Sequence, residues 1–174
     1  MQMTKGVPMS GENKLILAVV GATIAVVFGA VVYFGNQKSA PKREELGIAS
    51  MAVDRKSADL GKMKVSDEKS ATFTISNTGN SMLRIWNINT SCDCTFATVA
   101  IGKIVSPEFN MAGMMSTEKT NWLGEVPAGQ KATLTVIYRP SVMPVQGPIT
   151  RQVNFSTNDP KNENVQLSIA ASVL

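Results

Sequence analysis

Cys92 and Cys94 are the only cysteines in a chain of 174 residues. Residues two apart in a strand point to the same face, so the two sulfurs would be presented together. Three chemistries fit such a pair. The first is structural, as free thiols or a bridge. In extended backbone, positions i and i+2 sit near the outer limit of disulfide Cα separation, so a bridge requires a kinked backbone and is a candidate for redox activity. The second is soft-metal binding, because thiolates and thioethers select Cu(I). Met111, Met114 and Met115 cluster in one stretch and, with Cys92 and Cys94, make a candidate Cu(I) ligand set. The plainer reading of these methionines is gap-filling or an adaptable surface. The third is thiol–disulfide exchange. It departs from the C-x-x-C spacing, and the nearest lysine in sequence is Lys103, too remote to mark a lowered thiol pKa.

Composition narrows the field further. The chain has no histidine. That removes Ser-His-Asp and Cys-His catalysis, the commonest metal ligand and the usual pH switch. An ordinary zinc site needs histidine or more cysteines than two. The net charge is +4, with 17 Lys and Arg against 13 Asp and Glu. These basic residues are scattered and never interleave with aromatics, which argues against nucleic-acid binding. No small-molecule substrate is evident. The expectation is a non-enzyme.

The elements that hold the cysteines follow from hydropathy. Leu15 to Phe34 carries no charge. As a helix it reaches roughly 30 Å, the thickness of a bilayer core. A cleaved signal peptide has a shorter apolar run and a small-x-small site; Gln37-Lys38-Ser39-Ala40-Pro41 is a poor one. The sequence thus predicts a tail at 1–13, a single transmembrane helix at 14–36 in the lipid bilayer, a polar tether at 37–49 and one domain at 50–174. Gly21, Ala25 and Gly29 share a helix face, a small-residue pattern that permits self-association. Flanking charges lean towards a cytoplasmic C-terminal domain, whereas the domain type favours the outer face. The expectation adopted is a single-pass protein of the cell membrane with its C-terminal domain extracytoplasmic.

The domain reads as all-β. Ala71, Phe73 and Ile75 alternate with polar residues, and Asn77-Thr78-Gly79-Asn80 supplies a turn. Leu83 and Ile85 start a second strand, whose phase switches at Trp86 and Ile88, predicting a bulge. Leu134, Val136 and Tyr138 mark another strand, Val153 and Phe155 the next, and Val165 to Val173 the last. Short strands with turns between them predict a β-sandwich. The stretch from Ala100 to Ala128 reads as an irregular loop, too long for an ordinary connection. Trp86 and Trp122 read as packing residues.

Several segments carry a resemblance. They are Ala71-Thr72-Phe73-Thr74-Ile75-Ser76-Asn77-Thr78-Gly79, Thr90-Ser91-Cys92-Asp93-Cys94-Thr95, Pro127-Ala128-Gly129 and Thr157-Asn158-Asp159-Pro160. In that order they resemble the bacterial domain of unknown function 1573 family across the whole soluble part. The resemblance implies an immunoglobulin-like β-sandwich, exported and anchored, with no established activity. Asp93 stands where that motif usually has glycine, so the backbone between the cysteines is expected to differ. In plan alone, one helix plus an immunoglobulin-like domain with Cys-x-Cys is similar to copper-delivery proteins of oxidase assembly. The leading expectation is an immunoglobulin-like module, preceded by a single transmembrane helix, that binds a protein partner. Cu(I) handling and thiol–disulfide exchange stand as alternatives.

Overall fold

The computed structural model describes residues 20–28 and 49–174. Residues 20–28 are helical, and no helix among the described residues is long and apolar enough to cross a membrane. The tail at 1–13, both ends of the expected span, the tether up to residue 48 and Gly29 lie outside the described residues. Gly21 and Ala25 fall in the helical stretch, where a side chain added at Gly21 would meet open space.

Residues 49–174 form two five-stranded sheets. The strands are β1 (Met51–Val53), β2 (Ser57–Met63), β3 (Lys69–Asn77), β4 (Leu83–Thr90), β5 (Thr95–Ile101), β6 (Ile104–Val105), β7 (Leu123–Val126), β8 (Lys131–Tyr138), β9 (Gly147–Thr157) and β10 (Asn164–Val173). The first sheet runs β1-β3-β8-β5-β6 and the second β2-β10-β9-β4-β7. All pairings are antiparallel except β2 with β10. This is the expected immunoglobulin-like sandwich. The chain changes sheet at most of its connections, so it repeatedly has to turn a corner across the core.

Alternation explains why these segments are strands. In β3, Ala71, Phe73 and Ile75 are buried while Thr72 is exposed. In β8 the buried set is Ala132, Leu134, Val136 and Tyr138, and in β10 it is Val165, Leu167, Ile169, Ala171 and Val173. A period of two places each set on the face that meets the other sheet. Full burial of side chains such as Phe73, Leu134 and Leu167 contributes about 1.5–3 kcal/mol each.

The phase switch in β4 is a bulge. Leu83 and Ile85 point inward, pairing with β9 shifts between Trp86 and Asn89, and Ile88 is again buried. Asn87 absorbs the irregularity with φ of 55°. Asparagine is among the few residues that adopt this left-handed conformation readily.

The stretch from Ala100 to Ala128 is more ordered than the sequence suggests. It contains β6, a short helix at Thr117–Thr120 and β7. Two single-residue bridges, Ala97 with Phe109 and Thr90 with Met111, pin it to both sheets. Phe109 is fully buried, edge-on to Trp122 at 5.3 Å between ring centroids. Bridges of one residue leave no periodicity to read, which is why the segment looks irregular in sequence.

Asp159 closes the β9–β10 turn and is buried. Its carboxylate accepts N–H bonds from Met51 at 2.8 Å, Lys161 at 2.9 Å and the Asn162 amide at 2.8 Å. Burial pushes its pKa up, but these donors and the nearby Lys161 charge outweigh it and hold the carboxyl below its ordinary value of 3.8. A depressed folded-state pKa stabilises the fold above the unfolded value, and that contribution is lost as pH falls through the folded value. Asp159→Asn is therefore expected to lower stability at pH 7 by about 1–3 kcal/mol. The gap to wild type should close below pH ~4, which urea unfolding across pH would show.

Candidate functional site

The cysteines do not lie in a strand. They occupy the corner between β4 and β5, where the chain passes from the second sheet to the first. The Thr95 N–H donates to the Cys92 carbonyl at 3.0 Å, closing a tight turn. That turn brings the two Cα atoms to 5.2 Å, and Cys92 and Cys94 form a disulfide. The kink that a bridge demands is thus supplied by the corner itself.

Hydrogen bonds clamp the corner from every side. Thr90, buried at the end of β4, shares its hydroxyl proton between the carbonyls of Cys92 (3.0 Å) and Thr95 (2.9 Å). The Ser91 N–H donates to the Gln152 carbonyl at 3.0 Å, and the Gln152 N–H returns a bond to Ser91 Oγ at 2.9 Å. The Arg139 N–H donates to the Cys94 carbonyl at 2.9 Å. The Asn110 amide donates to the Asp93 carbonyl at 3.1 Å and carboxylate at 2.9 Å. Asp93, in the position where the resemblance expects glycine, does not adopt a positive φ. Arg139 fastens the adjoining loop with a two-pronged bond to Glu108 at 3.0 and 3.1 Å, over the Phe96 ring at 4.3 Å. The carboxylates of Glu108 and Glu68 raise the Arg139 pKa against the opposing effect of burial, so the guanidinium stays charged.

The surroundings of the bridge differ from the expected ligand set. Met111 pairs through its backbone with Thr90, Met114 is largely exposed, and Met115 packs against the core. The methionine sulfur in contact with the bridge is that of Met143, 3.7 Å from Cys92 Sγ. Among the described residues no group of three or more His, Cys, Asp or Glu could hold a metal ion. Bridged sulfurs are not thiolates, the form that binds metal.

A cation stands where the sequence offers none nearby. Arg151 lies on β9 in phase with the inward residues Ile149 and Val153, and its Nε–H reaches Cys94 Sγ at 3.4 Å. Its Nη1 donates to the Thr150 carbonyl at 3.0 Å, and its guanidinium carbon lies 5.9 Å from the Tyr138 ring centroid. That charge weighs against a second cation binding at Cys94. The Tyr138 hydroxyl is buried with no hydrogen-bond partner among the described residues. Cys94 is fully buried and Cys92 nearly so, while Met143 beside it is half exposed, next to the exposed Val142 and Val145. The one sequence signal for Arg151 was a charge in the inward phase of an alternating strand.

The bridge closes a ring of three residues, for which loop-closure entropy amounts to only ~1.5 kcal/mol. Reduction, or Cys92→Ser/Cys94→Ser, is therefore expected to cost less than about 2 kcal/mol. Urea midpoints with and without reductant, beside alkylation counts, would check it; a reduced chain that unfolds would mean the bridge holds the fold.

Comparison with known proteins places this fold. The solved structure of a protein of unknown function from Porphyromonas gingivalis W83 aligns with TM-score 0.55 at 17% identity, over 78% of this chain and 51% of that one. A family 123 glycoside hydrolase from Clostridium perfringens aligns with TM-score 0.51 at 6% identity, over 74% of this chain and 27% of that one. The chain thus spans about half of the first relative's length and about a quarter of the second's. The ASH/PapD-like domain 7 of human CEP192 aligns with TM-score 0.48 at 8% identity, over 79% of this chain and 92% of that domain. No curated protein matches by sequence. The model of the HYDIN/CFA65/VesB-like, Ig-like domain matches residues 49–172, and the chain belongs to that family.

Proposed function

We propose that this chain is a non-enzymatic, membrane-tethered immunoglobulin-like module that binds a protein partner at the outer face of the membrane. The observation that carries the binding role is the free edge of the first sheet. β6 ends that sheet, with no strand beyond it among the described residues. It is joined to β5 by the two-residue turn Gly102-Lys103, where Gly102 supplies the positive φ of 58° that such a hairpin needs at its first central position. Ile104 and Val105, both of its residues, stand 73% and 64% exposed. An unpaired strand edge with exposed apolar side chains is a template for pairing with another chain unless charges or a cover blunt it. The tether rests on the uncharged run from Leu15 to Phe34. The finer likeness to the domain of unknown function 1573 family rests on the Cys-x-Cys and Thr-Asn-Asp-Pro segments and supports an exported location.

Two measurements test this reading. Deleting residues 1–48 should move the chain from the membrane pellet to the soluble fraction; a full-length chain washed off by high salt would remove the anchor. Ile104→Lys/Val105→Lys should weaken partner capture by roughly 30-fold, as expected for loss of a hot spot worth about 2 kcal/mol, while leaving the melting temperature within a few degrees. Cross-linking in intact cells that repeatedly yields no partner would count against the binding role.

A further inference from the structure

We propose that Cys92–Cys94 is an exchangeable disulfide, in which Cys92 is the sulfur attacked by a protein thiolate and Cys94 is the leaving thiolate held by Arg151. Three observations carry this. Arg151 points its Nε–H at Cys94 Sγ from 3.4 Å, and not at Cys92. Cys94 is 0% exposed, whereas Cys92 is 9% exposed, and its sulfur accepts the Cys94 N–H at 3.2 Å and touches the half-exposed Met143. The corner around them is held by hydrogen bonds from Thr90, Ser91, Gln152, Arg139 and Asn110, so the bridge can open without releasing the turn.

A thiolate of the partner displaces Met143 and attacks Cys92 Sγ. A partner–Cys92 disulfide forms, the Cys92–Cys94 bond breaks, and its electron pair goes to Cys94 Sγ. The Arg151 N–H and charge stabilise that thiolate, as a cation beside a thiol does generally. A second thiolate of the same partner then attacks the partner's own sulfur in the mixed disulfide and expels Cys92 as thiolate. The partner dithiol has become a disulfide, two electrons have passed to Cys92 and Cys94, and solvent has taken the partner's thiol protons. Stabilising the reduced form makes a dithiol pair a stronger oxidant. A three-residue ring adds little loop-closure stability to the oxidised form. Met143 against Cys92, with Val142 and Val145 exposed in the same loop, favours a cysteine flanked by apolar residues over glutathione.

The test uses the oxidised full-length chain in detergent and follows opening of the bridge by gel-shift alkylation. The probes are glutathione, dithiothreitol and a peptide with cysteine between leucines. The expected result is faster opening by the leucine-flanked peptide than by glutathione. Arg151→Met should slow opening by every probe about tenfold and shift the equilibrium with glutathione about tenfold towards the disulfide, or about 30 mV. Arg151→Lys should restore most of both, which a merely structural role for Arg151 would not do. In single variants, where the remaining thiolate attacks glutathione disulfide and releases one glutathione thiolate, Cys94→Ser should form the mixed disulfide on Cys92 at least tenfold faster than Cys92→Ser forms it on Cys94. Unchanged exchange in Arg151→Met with unchanged melting would overturn the assignment, as would faster trapping on Cys94. If Arg151→Met fails to fold, the two trapping rates decide alone.

Discussion

Each sheet of this sandwich can bury only one face, so a chain that belongs to both sheets must cross between them, and each crossing exposes backbone groups to a dry interior. Buried N–H and C=O groups left without partners cost about 1–3 kcal/mol each. The corners meet this demand with short polar side chains. The Asn77 amide donates to the Ser81 and Val126 carbonyls at 2.8 Å, and its own oxygen accepts from the Gly79 N–H at 3.0 Å. Thr90 does the equivalent at the β4–β5 corner, and Asp159, in the β9–β10 turn of the second sheet, accepts the Met51 N–H of the first. Asn77, Thr90 and Asp159 are each buried at 3% exposure or less. They are among the interior polar residues that let the alternating strands reach one another.

Of these corners, only the one between β4 and β5 carries reactive atoms. Its hydrogen bonds already fix the turn, so the sulfur–sulfur bond adds little to the fold. That separation of roles is what gives the disulfide a chemical meaning. Arg151 fits the same picture. An inward guanidinium is costly unless its N–H groups find acceptors, and here they find Cys94 Sγ and the Thr150 carbonyl, with the Tyr138 ring alongside.

Much of the sandwich was legible in sequence. The alternation of Phe73 and Ile75, of Leu134 and Val136 and of Val165 to Val173 maps directly onto buried faces, and the broken phase after Ile85 is the Asn87 bulge. The neighbours of the cysteines were not legible. Met143 and Arg151 lie 51 and 57 positions from the sulfurs they touch, and only the pairing of β4 with β9 and the loop after β8 bring them there. The nearby methionines misled for the converse reason: closeness in sequence to a corner says nothing of which way a bridged loop turns its side chains. The helix-association pattern of Gly21, Ala25 and Gly29 extends beyond the described residues.

The central claim is that hydrogen bonds, and not the disulfide, hold the corner, leaving the bridge free to react. Amide hydrogen exchange on oxidised and reduced protein tests it directly at Ser91, Thr95, Arg139 and Gln152, whose N–H groups make the clamp. Their protection should fall by no more than about 13-fold on reduction, the equivalent of ~1.5 kcal/mol of loop-closure stability. Loss of protection at these four amides to the level of an unfolded chain, with the rest of the sandwich still protected, would contradict the account and make the bridge the clamp.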